Sequence, residues 1–551
     1  MKLPAIERST MRNFRSDRES LISIALAVFL IVLAFASGYR ATSDLTWPPY
    51  VDFDRDASFA QSILDGHYGE DPLYRDEVMW FTPLVFSMEA LAVKATGVSI
   101  QVFQARAGAF LNLLGPIAFF LMVWRLFKPL VAVVALWALL FLLPGQEPGW
   151  AIATYSPWLL PMMFSQGLFY LLVIALHHSF RYSAWPVWMG MGAGAGVLFL
   201  AHAAPAMILV GTVAFHLIFA MVTAWRTGDR AGVRAHIKCV LASAAAFIII
   251  TLPLTWYVVG HYGLDQVNRI PTAYTYTPLS LRNWELFLFH NASLFNLIAV
   301  IGVVGLFRGK GQASRVVMRS WVLLCLFFGF FGYMAVTLGV HYGIKLPTAV
   351  PTFHFYFYLK AALAIGFAHI VVVSVKRAWQ YPQRTEDAQV TTTRTTFTLG
   401  ALILVQTAFA YPAYANRPDL VLTRQRCLLR MADTGATDMC YFMRDQLPWE
   451  AVVLCDDELS MRVLMASARK TVATNASMAN PYVLPAPREQ ARAGMFAGLE
   501  APAPEMDSLL QAYDVTYLLI RRSEAEKYPE RGRWFPHLVH RNEGYLLYSR
   551  N

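Results

Sequence analysis

The run "LISIALAVFLIVLAFASGY", residues 21–39, is long and apolar enough to span a bilayer. It is the first of a series, and a series of such runs leaves the chain few choices. In lipid every backbone N–H and C=O must be satisfied within the protein, so the runs fold as helices. With 56% hydrophobic and only 15% charged residues, the 551-residue chain is too apolar for a soluble protein of its size. No small-residue cleavage site with a turn follows the first run, which therefore reads as a retained helix rather than a signal peptide.

About eleven spans are expected, near 20–38, 105–124, 129–144, 159–178, 185–201, 203–224, 238–258, 286–307, 319–340, 353–375 and 396–412. Loop charge tests the set. The basic N-terminal arm, Arg125 with Lys128, Arg181, Arg226 with Arg230 and Arg234, Arg308 with Arg315, and Lys376 with Arg377 all fall on one side. By the positive-inside rule that side is cytoplasmic, and an odd number of spans puts the C-terminal tail outside. The net charge of +10 is accounted for by these loops, and no basic aromatic module suggests nucleic acid. One apolar run, "FTPLVFSMEALAVKATG" at 81–97, is short and interrupted by Glu89 and Lys94. It reads as a helix lying on the membrane surface. Residues 39–104 then form one long outer loop, in which "DASFAQSIL" is a second surface helix.

The expected fold class is an α-helical polytopic membrane protein with an outer α/β domain. Residues 1–412 form the transmembrane part and 413–551 the outer domain. In the tail, "AVVLC" and "VTYLLI" read as short buried strands, "DELSMRVLMASA" and "MDSLLQAY" as helices, and "HLVHRNEGYLLYSR" as a terminal hairpin. Cys239 and Cys325 read as packing residues. Cys427 and Cys440 are spaced to close a disulfide across "ADTGAT", with Cys455 left free. No internal repeat or glycine-rich phosphate loop occurs.

The chemistry concentrates just after the first span, in "YVDFDRDASFAQSILDG". Asp52, Asp54 and Asp56 stand at every second position and would share one face of an extended chain. Asp56 also suits the N-cap of the helix that follows. Solvated loop acids are the plain alternative, but "TWPPYVDF" and "MWFTPL" surround the row with apolar and aromatic groups. Desolvation there raises a carboxylate pKa and makes it a better general base.

The outer loop, with its acids, "SFAQSILDGHYGEDPLY" and "MWFTPLVFSMEALAVKATG", resembles the GT-C superfamily of membrane glycosyltransferases, which use polyprenyl-phosphate-linked sugars. The tail's "MRDQLPWEAVVLCDDE", "SARKTV" and "LLQAYDVTYLLI" resemble the outer domain of many bacterial members. The resemblance implies a bacterial inner-membrane enzyme with its site facing outward. It would transfer a sugar, with inversion, from a polyprenyl-phosphate donor to an envelope glycan, lipid or protein. The implied general base is Asp54 first and Asp56 second, although the row departs from the acidic pair of the aminoarabinose and mannose transferases. Some members use second-loop acids with a divalent metal, and only Glu147 in "LPGQEPGWAIATYSPW" offers itself for that role.

Donor phosphate needs cations near the outer ends of spans. His202, His354, Lys360 and Arg269 are the candidates, against plainer readings as packing histidines, a snorkelling lysine and a loop cation. Tyr274 and Tyr276 suit sugar stacking or simple membrane-interface placement. The competing function is a transporter or flippase, for which repeated halves and matched broken spans would be expected.

Overall fold

The computed structural model describes residues 18–152, 154–263, 266–268, 270, 282, 284–308, 313–344, 346, 354–381 and 388–550. Arg269, Tyr274 and Tyr276 lie outside the described residues. The chain divides into two compact units.

The first unit takes residues 1–41, 108–251 and 274–420. Among the described residues eight helical stretches are long and apolar enough to cross a membrane, and each coincides with an expected span. The other three expected spans coincide with shorter apolar helices, Pro129–Leu142, Trp185–Ala201 and Leu294–Arg308. The chain is a multi-pass membrane protein.

In chain order the helices are α1 (Arg18–Thr42), α2 (Val51–Leu64), α3 (Leu84–Thr96), α4 (Ile100–Leu111), α5 (Leu114–Leu126) and α6 (Pro129–Trp137). Next come α7 (Pro161–Ser179), α8 (Trp185–Ala201), α9 (Ala203–Arg226) and α10 (Arg230–Tyr262). Then follow α11 (Leu294–Arg308), α12 (Ala313–Tyr342), α13 (Phe355–Gln380), α14 (Ala388–Ala415), α15 (Pro418–Ala432) and α16 (Thr434–Gln446). Proline at the first turn of α6, α7 and α8 starts each helix where its missing N–H costs nothing. Inside the first unit α11 and α13 touch backbone to backbone. A Cβ on Gly302 would meet the Gly366 carbonyl oxygen, so only glycine permits this approach.

The second unit takes residues 42–107, 252–273 and 421–551. Residues 42–107 and 252–273 therefore fold with the tail. At 13 residues α3 is too short to span, in keeping with its reading as a surface helix.

Its sheet has the order β2-β1-β3-β5-β4. The strands are β1 (Val452–Leu454), β2 (Lys470–Thr471), β3 (Val515–Arg521), β4 (His537–Arg541) and β5 (Tyr545–Ser549). β1 runs parallel to β2 and β3, and β5 runs antiparallel to β3 and β4. Alternation along β3 builds a core on each face. Leu519 joins Trp47, Met439, Met443, Val453 and Leu547. Leu518 and Ile520 join Leu454, Met495, Leu499 and Leu510.

The expected Cys427–Cys440 disulfide is not formed. All five cysteines are free and buried. Cys427 faces inward from α15, and Cys440 packs into the core around Met439 and Leu547. Intact protein should therefore show no mass change on reduction and react with thiol reagents only after denaturation. A reducible Cys427–Cys440 link in the mass spectrum would contradict this.

Candidate active site

The acid row is not extended. It is the first turn and a half of α2, which begins at Val51 with Tyr50 at its N-cap position and no side-chain cap. Asp56 is thus inside the helix and caps nothing. On a helix, residues four apart share a face and residues two apart do not. Asp52 and Asp56 therefore line one side and Asp54 another. Carboxylates in a first turn also complement the positive end of the helix dipole.

The three acids share two arginines. Asp54 is 1% exposed. Arg430 of α15 grips both its oxygens through Nη2, at 2.9 and 2.7 Å. A second Arg430 nitrogen donates to the Pro48 carbonyl at 3.1 Å. Asp56 is fully buried. Its Oδ1 accepts from Arg55 Nε at 3.1 Å and Nη2 at 2.8 Å. Among the described residues its Oδ2 has no hydrogen-bond partner. Asp52 is more exposed and meets Arg55 at 3.3 Å. Arg55 lies over the Phe81 ring, 4.5 Å from its centre.

Burial sets the protonation. It pushes the Asp54 carboxyl up to about 6, with Arg430 pulling the other way. Burial likewise pushes Asp56 up to about 6 against Arg55. A third buried acid is Glu89 of α3, which in the sequence only interrupts an apolar run. It is 1% exposed and accepts from Gln104 Nε2 at 3.0 Å. Among the described residues its Oε1 has no hydrogen-bond partner. Burial, then the charge on Asp56, holds Glu89 well above the usual carboxylate range.

The first unit holds the remaining described candidates. Lys360 is buried on α13 and donates to the carbonyls of Gln146, Pro148 and Ala151 at 2.9, 2.9 and 3.0 Å. An ammonium has three protons, so this arrangement leaves none for a phosphate. Lys360 ties down the loop between α6 and α7. In that loop the Glu147 carboxylate accepts from the Gly149 N–H at 2.9 Å. Among the described residues no group of three or more His, Cys, Asp or Glu is placed to hold a metal ion. His202 and His354 do come together, with ring centres 4.5 Å apart and planes perpendicular. Each stands at the N-cap position of a long helix, α9 and α13 respectively. His202 Nδ1 accepts from the Ala204 N–H at 3.3 Å, which puts the proton of a neutral ring on Nε2.

No family model matches the chain, and no curated protein sequence matches it either. Solved structures do. The oligosaccharyltransferase of Archaeoglobus fulgidus in complex with zinc and sulfate aligns over 95% of this chain and 73% of its own, at 12% identity and a TM-score of 0.52. Its apo form aligns over 98% and 75%, at 11% identity and the same TM-score of 0.52. The chain has the GT-C fold. ArnT from Cupriavidus metallidurans, bound to undecaprenyl phosphate, aligns over 95% of this chain and 98% of its own, at 14% identity and a TM-score of 0.49.

Within this GT-C fold, sequence reasoning singles out Asp54 and Asp56 but misses the arginine that grips Asp54 and the third buried acid. Glu89 could have been found as the one acid in an apolar helix. Arg430 carries no local signal, because its partner lies 376 positions away. The buried pairs predict a contrast in thermal melts of the purified protein. Asp56→Asn strips Arg55 of its closest anion and should destabilise by about 3 kcal/mol, the usual order for breaking a buried pair. Glu89→Gln should leave Tm unchanged or raise it at neutral pH. The raised Glu89 pKa contributes stability that is full in acid and lost as pH rises through the folded-state value, and the variant removes that loss. Equal destabilisation by both variants would refute the assignment.

Proposed function

We propose that this chain is an inverting glycosyltransferase that moves a sugar from a polyprenyl-phosphate donor to an envelope glycan, lipid or protein. The observation that carries the reading is a fully desolvated aspartate, Asp54, raised to about 6 in the loop where the sequence resemblance expects a general base. Such a group is ionised near neutrality yet basic enough to accept a proton. The GT-C fold, shared with structures named as oligosaccharyltransferases, supports glycosyl transfer as the reaction class.

In the proposed step, the acceptor oxygen attacks the anomeric carbon as Asp54 takes its proton. The bond between that carbon and the phosphate oxygen breaks, and polyprenyl phosphate leaves with the electron pair. Asp54 must first exchange the Arg430 guanidinium for the acceptor hydroxyl. Asp56, with one oxygen unpaired among the described residues, is the second candidate for the same role. The paired histidines are the proposed phosphate site. Helix starts favour anions, and two of them meet at His202 and His354. No step is assigned to Lys360 or Glu147. The basic-loop tally supports an outward-facing site in the bacterial inner membrane.

Asp54→Asn keeps the shape but cannot accept a proton. Turnover should fall by about a hundredfold or more, with donor affinity nearly unchanged. Wild-type rate should climb as pH rises through about 6 and then level off, because the base works only when ionised. His354→Ala should weaken donor binding instead. Near-normal turnover in both Asp54→Asn and Asp56→Asn would reject the acid row as catalytic. Orientation has its own check: Lys94→Cys and Glu500→Cys, both at exposed positions, should react with an impermeant thiol reagent from outside the cell. Protection of either would overturn the proposed topology.

A further inference from the structure

α15 has two unlike faces. Toward the interior of the second unit it turns Thr423, Arg424, Cys427 and Arg430. Arg424 pairs with Asp44 at 2.7 Å, and Arg430 holds Asp54. These two anchors, six residues apart, fix the helix about its own axis. The opposite face carries Val421, Leu422, Leu428 and Leu429, all exposed, with Leu422 at 52% and Leu429 at 71%. At 100° per residue these four fall within roughly a third of a turn, with Gln425 among them and Arg426 at the edge. Four large apolar side chains in one stripe are not an ordinary aqueous surface.

The place of α15 in the chain says what covers the stripe. α14 ends at Ala415, and α15 begins at Pro418. The apolar run of α14 gives way after Tyr411 to Asn416, Arg417 and Asp419. At 28 residues α14 is about 42 Å long, more than the ~30 Å hydrocarbon core, so its end lies in the headgroup layer. A helix that starts there, apolar on one side with an arginine at the margin, has the pattern of an interfacial helix.

We propose that α15 is a membrane-surface helix. Its Val421, Leu422, Leu428 and Leu429 face sits in the outer leaflet at headgroup depth, and Arg426 meets lipid phosphate. The same helix delivers Arg430 to Asp54, so the lipid surface helps to position the partner of the candidate base. The proposal concerns lipid contact and stands whether or not the chain transfers sugars.

The test uses the full chain in proteoliposomes that contain anionic lipid. The five native thiols are all buried, so Leu422→Cys or Leu429→Cys can be labelled with an environment-sensitive fluorophore. Ser508→Cys, exposed on the helix Met506–Ala512, is the reference. Labels at 422 and 429 should emit at shorter wavelength and be quenched by lipids bearing a shallow nitroxide, while the label at 508 should not. Replacing Arg426 by Gln should weaken the quenching at 429 when anionic lipid is present. Quenching at 422 and 429 no greater than at 508 would overturn the proposal. So would efficient Leu429→Cys cross-linking between two copies, since a second copy would then cover the stripe.

Discussion

Asp54 is cut off from water, and its charge rests on Arg430. The two residues are 376 positions apart, and their ion pair ties residues 42–107 to the tail within one folded unit. Breaking such a pair by removing one partner typically costs about 3–5 kcal/mol, because the other charge stays buried. The same unit repeats the device. Lys470, 3% exposed, donates to the Asp71 carbonyl and lies 4.1 Å from the centre of the Trp449 ring, whose Nε1 donates to Glu70 at 2.7 Å. The apolar clusters on the two sheet faces supply most of the burial. The charged pairs decide which loop residue meets which tail residue, since an unmatched charge is the one error the interior does not tolerate.

That arrangement holds the acid row in tension. Desolvation raises Asp54 and Asp56 toward neutrality, and the arginines pull them back. A carboxylate in this balance stays ionised at neutral pH while keeping more basicity than a solvated aspartate. It is also occupied. In the proposed reaction an acceptor hydroxyl would reach Asp54 in exchange for Arg430, so the position of α15 would bear directly on whether the proposed base is available. Glu89, which burial and the charge on Asp56 hold well above the usual carboxylate range, belongs to the same buried cluster.

The membrane part was legible in the sequence because its signal is local. A run of apolar residues reports a span by length alone, and the run at 81–97, interrupted by Glu89 and Lys94, forms a helix of only 13 residues. In the tail, the strands at Val452–Leu454 and Val515–Arg521, the terminal hairpin and the helix Met506–Ala512 all follow short periodic runs. The acid row misled for a physical reason. The spacing of the charges is two, but the residues that choose the structure are Phe53, Ala57 and Ala60, all buried and spaced for a helix. The roles of Arg430 and Lys360 were illegible because their partners are hundreds of positions away. The disulfide failed likewise: spacing suggested a bond, whereas Cys427 and Cys440 are each buried on a helix of their own.

The central claim is that this GT-C fold breaks the bond between a sugar and a polyprenyl phosphate. The most direct measurement presents purified protein, in proteoliposomes, with a panel of polyprenyl-phosphate sugars carrying a labelled sugar. Both the free polyprenyl phosphate formed and the leaflet holding intact donor are followed. The account predicts that at least one donor yields free polyprenyl phosphate and that Asp54→Asn abolishes the yield. Donor that changes leaflet with its sugar still attached, and no polyprenyl phosphate from any member of the panel, would contradict it.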